Sequence, residues 1–182
     1  MTISAENKRA PMAAAPIKYA ADGSVDWGNM WDSFCVLARE GGPPHRSQML
    51  GAQEDADALS DGYRFAVNEI CRGIFEVSGL RAEADRPGWI GVRCHSAGMA
   101  RWLAESIEQE NVQARAEGTL LYVPAGDSYT LKGEIKNVIT AVAKTTHYWG
   151  EHLPPDAKRA LALQTRLADL TARMAGWLGK RD

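Results

Sequence analysis

Apolar residues recur at three- and four-residue intervals over five stretches of the chain, the spacing that gathers side chains on one face of a helix. The first stretch starts at Ser24 and carries Trp27, Met30, Trp31, Phe34, Leu37 and Ala38 before Gly41-Gly42 ends it and Pro43-Pro44 prevents its resumption. The second runs from about Glu54 to Phe75 and turns Leu59, Tyr63, Val67, Ile70 and Ile74 inward. A third begins behind Ser96, whose hydroxyl is placed to cap a first helical turn, and continues through Met99, Trp102, Leu103 and Ile107 to about Asn111. Glu134 to Trp149 is helical by the spacing of Ile135, Val138, Ile139 and Val142, with Pro154-Pro155 as its stop. The fifth helix opens at Pro155, where a missing N–H costs nothing, and extends to about residue 179 with Leu163, Leu167, Leu170, Met174 and Trp177 at alternating fours and threes.

Between the helices the period changes. "IFEVSGLRAEA" and "GWIGVRC" flank the turn-prone "DRPG" and predict an antiparallel pair of strands. "VQARAEGTLLYVPAG" predicts a further strand or hairpin, with Leu120 to Val123 as its buried part. "PIKYAADGSVDW" reads as a short extended segment that turns at Asp22-Gly23. Residues 1–16 lack periodicity and predict a flexible tail, with one domain over 17–182. Strands and helices do not alternate strictly, so the expectation is an α+β fold: a small, mostly antiparallel sheet covered by amphipathic helices.

Composition narrows the function classes without choosing among them. The 182 residues are 45% hydrophobic and 24% charged, enough for a core without staples. A net charge of −2, with no dense basic block, argues against nucleic acid as a partner. Three cysteines, Cys35, Cys71 and Cys94, are too few and too scattered for a disulfide framework. With no signal-peptide pattern and no membrane-length apolar run, the expected setting is cytoplasmic, with no membrane contact.

The candidate chemistry lies on three segments. Cys94-His95 sits at a strand-to-helix junction, where a thiol gains from the unpaired N–H groups of the helix start. Strand alternation nevertheless puts Cys94 with Ile90 and Val92, on a buried face, and leaves His95 on the other. On the fourth helix Lys136, Thr140, Lys144 and His147 follow at spacings of four, four and three, a polar stripe that is ordinarily solvated but suits a carboxylate or phosphate. His147 and Glu151 stand at i, i+4, while His152 is expected to point elsewhere. The "GGPPHRSQ" loop offers His45 and Arg46 to an anion. His45, His95, His147 and Cys94 are ligand types for zinc or iron that only folding could bring together; with no HExxH, HxH or CxxC spacing no metal site is assigned, and the cofactor is unknown at this point.

Two functions remain. The first is a non-catalytic binding or accessory protein that meets a protein partner, or a second copy of itself, through tryptophan-rich surfaces and the C-terminal helix. The alternative is a small enzyme or ligand-binding protein in which His95 and His147 act as acid or base while His45, Arg46, Lys136 and Lys144 hold an anionic small molecule. The alternative requires the three segments to meet in one hollow. The accessory reading requires an exposed apolar strip along Leu163 to Trp177 or around the tryptophans.

Overall fold

Among the described residues, Ser60 starts the first helix by accepting the Tyr63 N–H on its side chain, 3.1 Å away. This computed structural model describes residues 17–29 and 48–178, the side chains of 169 and 173–178 excepted, and the helix, α1, spans Asp61–Ser78. The sequence reading begins this helix too early. Asp57 instead bonds the Leu59 N–H in a turn of its own, and Leu59 is 82% exposed rather than inward. The helix also outlasts the expected end at Phe75, because the left-handed cap at Gly79, with φ of 70°, returns its N–H to Phe75.

The strands that follow are shorter than expected and paired as expected. β1 (Ala82–Ala84) and β2 (Trp89–Arg93) run antiparallel with Ala82 opposite Val92. Ser96 caps α2 (Ala97–Gln109) by accepting the Met99 N–H. β3 (Arg115–Glu117) and β4 (Leu120–Pro124) form a hairpin, and β4 returns to pair with β2, giving a four-stranded antiparallel sheet in the order β1-β2-β4-β3. Ile90, Val92, Leu121 and Val123 point to the helices and are fully buried, as period-2 alternation requires. This is the α+β arrangement that the sequence pattern predicts.

A π-helical turn at Leu131–Ile135 leads into α3 (Lys136–His147), and a second π turn at Tyr148–His152 ends it. α3 packs between α1 and α2, and its residues from 136 to 143 are all buried. It is therefore a central helix, not a half-solvated one. α4 (Pro155–Leu178) then docks on α2, where a Cβ at Gly98 would stand only 3.2 Å from the Ala162 backbone. Among the described residues no helix is long and apolar enough to cross a membrane.

The segment before α1 corrects one expectation and supports another. Tyr19 and Val25 form an antiparallel bridge around Gly23, so the extended turn is present. Ser24 to Trp27, however, is extended rather than the start of a helix. Trp27 is wholly buried and is held by α1: its backbone N–H donates to Glu76 at 3.1 Å and its indole N–H to Glu69 at 3.2 Å. Arg72 ties the same group together, bonding Glu69, Glu76 and the Val25 carbonyl. The tail at 1–16, Met30, Trp31, Phe34, Leu37, Ala38, the 41–44 stop and Cys35 lie outside the described residues.

Candidate functional site

The C-terminal end of α1 faces the C-terminal end of α3 across an open hollow of about 390 Å³. Glu76 to Gly79 form one wall, and Ala143, Thr146, His147, Gly150 and Glu151 form the other. The second wall owes its shape to the sequence "HYWGEHLPP". Pro154 and Pro155 have no N–H to give to the carbonyls of residues 150 and 151, so the helix cannot continue. The backbone widens instead: the Leu153 N–H bonds the Tyr148 carbonyl five residues back, and the Gly150 carbonyl takes the Lys158 ammonium at 3.0 Å. Trp149 packs on Trp102 of α2 at 5.6 Å between ring centroids and carries Lys158 on its ring, which fixes the corner between α3 and α4.

Widening the turn changes which side chains meet. In a regular α-helix, residue i+5 lies about 140° round from residue i. A turn closed at five residues brings both i+4 and i+5 back to the same side. Hence His147, Glu151 and His152 offer ligand atoms that all lie within 4.8 Å of one another. His147 Nδ1 stands 3.5 Å from Glu151 Oε1, and the two imidazole centroids are 5.2 Å apart. The expectation that His152 points away from His147 is therefore overturned, because it assumed α-helical spacing.

The other expected site residues do not join this group. His95 is exposed just before α2 and is not among the residues that line the hollow. His45 and Arg46 lie outside the described residues. The Cys94 thiol is buried, with Sγ 3.9 Å from the Val92 carbonyl, and burial pushes its pKa up to about 12. It is the packing residue that strand alternation implies rather than an acidic nucleophile, because it precedes the capped turn and sits in the apolar layer. Burial likewise holds Lys136 below the ordinary lysine range. Lys144 is engaged by Glu110 at the end of α2. The stripe is thus interior at Lys136 and Thr140 and half-buried at Lys144 and His147, and neither lysine lines the hollow.

The tryptophans are mostly inward as well. Trp27 and Trp89 are fully buried, and Trp89 has Arg115 3.9 Å above its ring and Glu54 on its indole N–H. Trp102 and Trp149 are half-buried against each other, and Trp31 and the side chain of Trp177 are not described.

α4 presents a row of exposed leucines. Leu161, Ala162 and Ala168 are half-buried, Thr165 is buried, and all four lie on the side towards α2. Leu163, Leu167 and Leu170 stand on the opposite side and are 59%, 54% and 54% exposed. The sequence carries their four-three spacing on to Met174 and Trp177. Beside this seam stand Arg159 and Arg166, a seven-residue interval that the sequence repeats at Arg173 and Lys180, while its other flank holds the neutral Gln164 and Thr171. Compared with known proteins, the sequence matches no family model and no curated protein.

Proposed function

We propose that this protein is a non-catalytic binding module that receives an amphipathic partner helix on the outer face of α4. The observation that carries this reading is the leucine seam. Leu163, Leu167 and Leu170 are more than half exposed on a helix that already docks to its own domain through the opposite face. Four-three spacing is the geometry of paired helices, in which each apolar knob fills a hole on the partner. Large side chains left in water at that spacing lose the burial free energy of about 25 cal/mol per Å² that docking would supply.

Charge selects the kind of partner. The basic row at Arg159 and Arg166, continued in sequence by Arg173 and Lys180, borders one side of the seam. In a parallel pair of copies this row would face Gln164 and Thr171 and gain no ion pair. In an antiparallel pair it would face itself and repel. A helix with a leucine seam and acidic flanks satisfies both the apolar and the ionic requirement.

The test uses the full chain and two synthetic helical peptides with the same leucine seam, one flanked by glutamates and the other by lysines. The glutamate peptide should bind, the lysine peptide should not, and L163S/L167S should weaken binding at least tenfold. Raising the salt concentration should also weaken it, since the flanking pairs are exposed. The reading is overturned by indifference to both peptides, or by self-association that the serine variant abolishes, which would put a second copy on the seam. Adsorption to anionic phospholipid vesicles without peptide binding would also sink it.

A further inference from the structure

We infer that His147, Glu151 and His152 form a binding site for one divalent transition-metal ion of the zinc class. The inference is independent of the docking surface on α4 and rests on the π turn at the end of α3. Two imidazoles and one carboxylate converge there, with all three ligand atoms within 4.8 Å. Around a tetrahedral zinc, with bonds of about 2.0–2.1 Å, ligand atoms stand roughly 3.4 Å apart. The remaining closure is about an ångström and a half, and Glu151 and His152 are exposed side chains whose rotation supplies it.

The backbone is what makes the cluster specific. Three ligands within six residues reach one point only if the turn between them is wider than α-helical, and the Leu153-to-Tyr148 hydrogen bond shows that it is. π turns of this kind interrupt an α-helix at a cost in hydrogen-bond geometry and are found frequently at functional sites. Here the prolines, Lys158 on the Gly150 carbonyl and the Trp102–Trp149 contact hold the turn open. The ligand set fits a borderline ion: imidazole suits zinc, nickel, copper and iron, whereas magnesium and calcium prefer all-oxygen shells. Three protein ligands leave further coordination positions free. His147 and Glu151 also line the 390 Å³ hollow, so those positions open towards it and towards solvent.

The experiment is a titration of the untagged, metal-free full chain with Zn²⁺ against a chromophoric chelator, repeated with Co²⁺ to record its visible absorption. One ion per chain should bind, with a cobalt spectrum of low coordination number, and Mg²⁺ should not compete. H152A and E151Q should each weaken zinc binding at least tenfold while the metal-free variants keep the wild-type melting temperature, because both side chains project into solvent. C71S should bind as wild type does. The inference is overturned by the absence of saturable one-to-one binding, by H152A and E151Q binding with wild-type affinity, or by a loss in C71S that would place the ion on thiols instead.

Discussion

At Cys94 the alternation of the strand decides the chemistry. Ile90, Val92 and Cys94 share the buried side, and this much is legible from residue order alone. Both Cys71 and Cys94 ordinarily titrate near 9.0, but burial raises them to about 11 and about 12. Between those values the unfolded chain has released thiol protons that the folded chain still holds, so these groups make stability fall as pH rises from about 9. Lys136, held below its usual range, acts in the opposite direction over the alkaline range. Urea unfolding of wild type and Cys94→Val from pH 8 to 10.5 isolates the contribution of the Cys94 thiol, and the decline should be shallower in the variant. Lys136 reads as solvated in the sequence because a polar residue on an amphipathic pattern looks outward, and nothing in the local sequence reveals that α3 is covered on more than one side. Asn137 beside it is 1% exposed, and neither amide atom has a hydrogen-bond partner among the described residues. A buried unpaired polar group costs about 1–3 kcal/mol, so Asn137→Leu, close in volume and apolar, should raise the unfolding free energy by about 1 kcal/mol or more in the same titration.

Element existence was more legible than element edges. Ser96 and Pro155 announced their helix starts and the structure has both, because a cap and a proline act on the residues next to them. The start at Ser60 was missed in favour of Glu54, since the apolar spacing extends backwards through Leu59 although no cap supports it. The end of α3 was missed for a different reason: sequence periodicity is scored against 3.6 residues per turn, and a π turn falls out of that register. The one sequence signal available was the double proline placed just beyond Gly150. The leucine seam was legible as a pattern but not as a surface. Which of two apolar faces docks on α2 is settled by Gly98, where only a hydrogen leaves room for the Ala162 backbone. Gly98→Val should push α4 away. The overpacking cost of about 1–3 kcal/mol should make tryptic cleavage after Arg159 and Arg166 roughly tenfold faster or more, while cleavage within residues 48–153 stays slow.

On the scale of the whole molecule, sheet order and the burial of α3 are products of long-range pairing, which local spacing does not encode. Thus the hairpin β3–β4 could be read from "VQARAEGTLLYVPAG", but not the return of β4 to β2, which builds the centre of the sheet. In the same way Trp27 could be read as buried but not as captured by Glu69 and Glu76, partners more than forty residues away, or steadied by Arg72 through those carboxylates and the Val25 carbonyl. α4 stands apart from this network, since its one extensive contact among the described residues is with α2. Amide deuterium exchange should therefore resolve two tiers. Backbone protons of α1, α3 and the central strands should exchange only through global unfolding, and those of α4 through an opening in which that helix alone lifts off and melts. A partner clasping its leucines, as proposed, would slow the second tier and leave the first unmoved, and would then govern the lifetime of that helix alone.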